Sequence, residues 1–444
     1  MKRMKRKWKV LFTFVLMLTS GVSVLAQNEA RFLSLEEAVS MALKGNKQIA
    51  VSVLDEQIAS SDYRKMDAVF LPKVSASYTA MQTNNPLNVF GAKLQQQSVT
   101  AADFNPAILN DPSAQNDFGV RIDMQMPLLN VDQLYTRKAL SAQKDAAQYG
   151  TVRTKEYITF EMKKAYLQLQ LAYQQKGLLE EAFQTANTIY NSTERFFEQG
   201  LIRKSDLLNA KVHMSSVETE LEKAKSNVSN ASDYLSLLMG QPSGVDYVVD
   251  KLALNFPSQR PLSTERVDFL AMEKAVEASD MMAKSASLSL LPKLNAFGSY
   301  QLNDSKAIEF NSQSYLVGVQ LSWNLFNGTQ TIHTIHSHKL MSAKLKEQLS
   351  GQLSQAQLEW NKTNRDLENL TFELRQQTDI VKQASEALRI IQNRYEQGLE
   401  KTSDLLVAQT QLSEQQMSYA ATVFKQNLNV AYLEFITSSN SYQN

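Results

Sequence analysis

The 444-residue chain contains no cysteine, so disulfides and thiolate metal ligands are excluded and no cysteine-linked lipid anchor is expected. Only 14 glycines and 9 prolines interrupt it, which permits long unbroken helices. After the first 26 residues no apolar run approaches the ~20 residues of a membrane-spanning helix, so any crossing must be made another way. Neither sign of charge dominates: residues 27–444 carry 40 Lys/Arg and 45 Asp/Glu, a mildly acidic balance that argues against a nucleic-acid partner. Also missing are HExxH, the P-loop, GxGxxG and GxSxG, and no serine has a base at a recognisable spacing. The chain is therefore expected to be no enzyme and to need no cofactor. His333 and His336 share a helical face, but His338 lies away from both and no carboxylate is suitably spaced, so no metal site is expected.

What is present begins with an export signal. Residues 1–9 carry six Lys/Arg, residues 10–18 are apolar, and Val24-Leu25-Ala26 reads as a cleavage site, which predicts a secretory signal peptide over residues 1–26. Residues 32–70 then show helical spacing through Leu35, Ala38, Val39, Ala42 and Leu43. Ser34 and Glu37 suggest a capping box, and Pro72 closes the segment.

From Pro72 the period changes to two. Residues 72–82 set Val74, Ala76, Tyr78 and Ala80 against Lys73, Ser75, Ser77 and Thr79. Residues 118–128 set Phe118, Val120, Ile122, Met124, Met126 and Leu128 against Gly119, Arg121, Asp123 and Gln125. A second pair follows at 292–302 and 315–325, although Phe297 interrupts the polar side of the first. Each stretch predicts a strand with one apolar and one polar face. A soluble sheet with one wet face shows the same alternation. Export, the match to the 9–11 residues of a tilted membrane strand, and Tyr78, Tyr300, Tyr315 and Trp323 on the apolar face favour the bilayer. The polar faces, with Lys73, Arg121, Asp123, Gln125, Lys293 and Gln320, would then line a lumen. The connection 83–117 is long and rich in Asn, Pro and Gln, whereas 303–314 is short; in a barrel both are outer loops.

Beyond each strand pair lies a helical stretch, 131–199 and 328–397, each about 100 Å long at 1.5 Å per residue. Apolar residues recur at three- and four-residue spacing along them and along the return helix from Leu207 to Leu238, the pattern of coiled-coil packing. The bends are near-copies at a constant offset of 198: Phe196-Phe-Glu-Gln-Gly-Leu-Ile-Arg-Lys-Ser-Asp-Leu-Leu-Asn-Ala-Lys211 and Arg394-Tyr-Glu-Gln-Gly-Leu-Glu-Lys-Thr-Ser-Asp-Leu-Leu-Val-Ala-Gln409. In each, a glycine ends one helix and the Ser-Asp pair is expected to cap the next. The chain thus divides into repeat one at about 32–240, a linker at 241–263 and repeat two at about 264–437. Four strands cannot close a barrel, and a bilayer does not tolerate open sheet edges, so several copies must assemble; three give twelve strands.

In order and duplication, Leu35-Glu36-Glu37-Ala38-Val39 with Ala42, Leu43 and Asn46, Leu-Pro-Lys at 71–73 and 291–293, and the doubled Gly-Leu…Ser-Asp-Leu-Leu turn resemble the TolC family of outer-membrane efflux proteins. The resemblance covers essentially the whole mature chain. It implies a mainly α fold with transmembrane β: a homotrimer whose 12-stranded β-barrel, set in outer-membrane lipid of a Gram-negative bacterium, continues as a periplasmic α-helical barrel. It also implies an exit duct working with a periplasmic adaptor and an inner-membrane pump. Gly200, Leu201, Gly398 and Leu399 would be adaptor-contacting tips, although the same residues suit a plain helical bend. Asp206, Asp404 and Tyr395 would line a periplasmic aperture, where Glu400 adds repulsion and Phe197, the counterpart of Tyr395, has no hydroxyl. Export of small molecules, export of proteins by a type I system, and a periplasmic coiled-coil scaffold are the readings to separate; the paired strands speak against the scaffold.

Overall fold

The computed structural model describes residues 31–255 and 261–438; the expected signal peptide and part of the linker, including Pro257, lie outside them. The elements are β1 (Arg31–Phe32), α1 (Leu35–Gly45), α2 (Lys47–Lys65), β2 (Lys73–Thr83), α3 (Pro86–Gln95), α4 (Pro106–Asn110), β3 (Gln115–Leu129) and α5 (Val131–Glu198). After these come α6 (Lys204–Met239), β4 (Tyr247–Val248), α7 (Val267–Leu288), β5 (Lys293–Asp304), β6 (Ser312–Ser322), α8 (Gln330–Glu396) and α9 (Thr402–Ile436). They form two compact units: one draws on the chain before residue 48, between 157 and 259 and between 362 and 435, and the other on the rest.

The second unit holds a four-stranded antiparallel sheet in the order β2-β3-β5-β6. Its register collects the apolar residues on one face, with Val74, Met124, Gly298 and Val317 in one row and Ala76, Ile122, Tyr300 and Tyr315 in the next. That face is uncovered; Val317 and Val319 are 72% and 62% exposed. The helices that continue the strands keep the strand order. Thr151 Oγ1 of α5 donates to Ser52 O of α2 at 3.0 Å, Ser285 Oγ of α7 donates to Asp132 O of α5 at 2.7 Å, and Ser279 Oγ of α7 donates to His338 O of α8 at 3.2 Å.

The fourth strand begins three residues earlier than its alternation predicts and ends at Ser322, so Trp323 and Leu325 lie beyond the ladder. Trp323 Nε1 instead donates to Leu290 O at 2.9 Å. The 83–117 connection is also more ordered than expected. It carries α3, α4 and a 3₁₀ turn at 101–104, each helix capped by the asparagine before its proline.

The segment expected as one opening helix is two, broken at Asn46. Ser34 does cap α1, accepting from Glu37 N at 3.2 Å, but the Glu37 carboxylate pairs with Arg31 and the capping box is incomplete. Asn46 Nδ2 donates to Leu238 O at 2.9 Å. There the backbones of Gly45 and Gly240 touch, so closely that a Cβ on Gly240 would lie 2.2 Å from Gly45 O. The linker is not wholly irregular either: β4 pairs in parallel with β1. Tyr173 OH donates to Tyr247 O at 2.9 Å, fastening that pair to α5.

Candidate functional site

The sheet has one polar face, and all six residues expected to line a lumen lie on it. Lys73 stands opposite Gln125, Ser75 opposite Asp123, Ser77 opposite Arg121, Asn295 opposite Gln320, and Lys293 opposite Ser322. Its charges are largely matched in pairs. Arg121 Nε meets Asp123 Oδ1 at 2.8 Å, and Lys293 Nζ meets Asp132 Oδ2 at 2.6 Å. At the outer end, Asn303 Nδ2 lies 3.4 Å from Asp117 Oδ1, which also accepts from Nε2 of Gln96, the residue after α3, at 2.8 Å. Pairing of opposite charges in this way leaves the face without a strong net field.

Phe297, the break in the polar alternation, has a local explanation. It pairs across strands with Gly318, where a Cβ would meet its Cζ at 2.7 Å, so the ring covers the bare glycine backbone. Asp132 and Asp117 are polar-face partners that strand alternation does not reach: Asp132 lies in the first turn of α5, and Asp117 precedes the predicted strand.

The two helical bends are built alike. Gly200 and Gly398 adopt φ of 75° and 73°. Gly200 N donates to Phe197 O and Leu201 N to Phe196 O; Gly398 N donates to Tyr395 O and Leu399 N to Arg394 O, all at 2.9 Å. These paired bonds are the Schellman closure of a helix C-terminus, and they leave Leu201 and Leu399 exposed at 67% and 62%. The following helices are not capped by serine as expected: Arg203 and Lys401 hold the capping positions, and Ser205 and Ser403 lie in the first turn. Asp206 closes the first bend by accepting from Arg203 N at 3.2 Å, while Asp404 stays exposed and accepts from Ser403 Oγ.

Two expectations at the bends need correction. Tyr395 does not present its hydroxyl to an aperture; it is 4% exposed, clustered with Ile189, Leu388, Leu405 and Ala408. Its OH shares a hydrogen bond with Thr193 Oγ1 at 2.9 Å and accepts from Thr402 Oγ1 at 3.4 Å, which braces α5, α8 and α9. The side it faces is set by the approach of α5, which spacing along α8 does not record. Glu400 adds no free repulsion, because Arg394 Nε meets its Oε2 at 2.9 Å. Among the described residues there is no group of three His, Cys, Asp or Glu able to hold a metal ion.

A two-faced sheet of bilayer-length strands continued by paired long helices is the architecture of an outer-membrane duct. The family model described as outer membrane efflux protein matches residues 38–241 and 262–437. The fold is similar to the outer membrane channel CmeC of Campylobacter jejuni (TM-score 0.77, 16% identity, 91% of this chain and 85% of that one). It is similar also to the outer membrane protein VceC of Vibrio cholerae (0.75, 18%, 91% and 96%) and the open-state MtrE outer membrane channel of Neisseria gonorrhoeae (0.76, 15%, 91% and 89%). The comparison with curated proteins returned no match. The chain belongs to the outer membrane efflux protein family. It is an outer-membrane exit duct with a periplasmic extension, and no enzyme.

Proposed function

We propose that three copies close the duct, that its bends dock a periplasmic adaptor joined to an inner-membrane pump, and that it passively conducts small molecules the pump delivers. The observation that carries this reading is the open sheet. Its edge strands β2 and β6 are each 11 residues long and run antiparallel to one another, so β6 of one copy can pair with β2 of the next. In the bilayer unpaired edge groups have no water to bond, and closure by further copies removes them. Two tandem repeats at about 32–240 and 264–437, joined by a linker at 241–263, give each copy its pair of hairpins. On this reading Lys73, Arg121, Asp123, Gln125, Lys293 and Gln320 line the lumen, Gly200, Leu201, Gly398 and Leu399 form the adaptor-contacting tips, and Asp206 and Asp404 ring the periplasmic aperture.

The test is the particle mass of the mature protein extracted in mild detergent from isolated outer membranes, followed by single-channel recording. Three copies per particle are expected, with Asp404→Ala raising conductance or weakening cation preference. A monomer would overturn the closure, and unchanged currents from a normally assembled variant would overturn the aspartate ring.

A further inference from the structure

Below the sheet, where α5 begins and α7 ends, the ring of Tyr135 draws two ammonium groups. Lys138 Nζ lies 4.9 Å and Lys284 Nζ 4.7 Å from its centroid. Each cation is attracted by the ring, yet the two are less than about 10 Å apart and repel one another. The nearby carboxylates are engaged elsewhere, Asp132 by Lys293 and Asp280 by Lys346, and neither lysine forms an ion pair among the described residues. The pair is short of an anion.

Its position says which anion. Asp132, which meets Lys293 from the polar face, marks the lumen side of α5; at about 100° per residue Lys138 lies about 120° around the helix from it, turned away from that face. Just above, Leu71, Leu129, Leu290, Trp323, Leu325 and Phe326 are exposed and form an apolar collar at the sheet's lower end. Tyr135 is four residues into α5, about 6 Å below its start. A headgroup layer is about 5–7 Å deep on each side of the hydrocarbon.

We propose that Tyr135, Lys138 and Lys284 form a headgroup site for an anionic phospholipid of the periplasmic leaflet, whose acyl chains lie against the collar. The proposal rests on the strands crossing the outer membrane. Trp323 in the collar reports on it directly, in the mature protein with Trp360→Phe as the background. In vesicles containing brominated phosphatidylglycerol or brominated phosphatidylcholine at equal mole fraction, the former should quench Trp323 at a lower mole fraction. At about fivefold per lysine near a lipid surface, the preference should be about 25-fold. K138Q/K284Q should abolish it and K138R/K284R should keep it. Equal quenching by both lipids, or a preference that survives K138Q/K284Q, overturns the site. Quenching by neither lipid overturns the membrane placement and the site with it. Sedimentation with purified peptidoglycan that is lost in K138Q/K284Q, without any lipid preference, would assign the lysines to the wall polymer instead.

Discussion

Alanine at Gly240 tests the tightest contact in the first unit. Gly240 has φ 68°, and leaving glycine there costs about 1–2 kcal/mol for the left-handed conformation alone. The added Cβ would lie 2.2 Å from Gly45 O, and since the backbone fixes the Cβ and the atom it meets is backbone, no side-chain rotation relieves the clash. The ends of α1 and α6 must separate. That overpacking costs about 1–3 kcal/mol, and stretching the 2.9 Å bond from Asn46 Nδ2 to Leu238 O costs about 1 kcal/mol more. The total is about 3–6 kcal/mol. Gly398 supplies the control, because it has φ 73° but nothing within 4 Å of its hypothetical Cβ, leaving only the conformational cost. The difference of about 2–4 kcal/mol corresponds to a roughly 30- to 900-fold change in local opening. Amide hydrogen exchange read by mass spectrometry, on peptides spanning 38–48 and 234–242 for Gly240→Ala and 394–402 for Gly398→Ala, measures both in the folded protein. Equal acceleration at the two sites would refute the backbone contact. Gly45→Ala, whose Cβ would lie 2.2 Å from Met239 O, should resemble Gly240→Ala without the conformational part.

Other perturbations have equally defined outcomes. Tyr395→Phe should cost about 1 kcal/mol, because Thr193 keeps its bond to Ile189 O, and should loosen α5, α8 and α9 together; proteolysis confined to one helix would contradict that brace. Asp103 is held at a pKa of about 2, first by its bond from Lys93, then by the N–H and hydroxyl of Thr100. A lowered carboxyl pKa stabilises above its unfolded value and is lost on acidification, so order in the 83–117 loop should decline from about pH 4 to about pH 2. Hydrogen exchange in Asp103→Asn should show a flat response over that window. Burial pushes His213 below its ordinary value of 6.5, and its Nε2 is enclosed without a partner among the described residues. The unfolded chain takes up the proton first, so stability should fall as pH drops below about 6.5, and His213→Gln should remove that slope from thermal melts.

How far the sequence reaches can be seen residue by residue. Alternation with period two assigned Lys73, Arg121, Asp123, Gln125, Lys293 and Gln320 to one face, because side-chain direction along a strand is a local property. The same alternation left Phe297 unexplained, because its reason is the cross-strand neighbour Gly318. The glycine bends were legible, since a left-handed residue after a long helix has few sequence solutions. The caps after them were not, because Arg203 and Lys401 hold that position through backbone geometry without a capping side chain. Trp323 was placed on a strand because its alternation continues past Ser322, where the ladder stops.

Sequence alone determined the duplicated plan, the strand faces and the helical hairpins, because each is written in periodicity and in glycine placement within a few turns of chain. Tertiary structure decided which groups meet. It turned Tyr395 inward onto Thr193, paired Glu400 with Arg394, pressed Gly45 against Gly240 and brought two lysines to the ring of Tyr135. Those contacts join residues as far as 202 positions apart, and the distances between them depend on how whole helices pack, a quantity that no local pattern records.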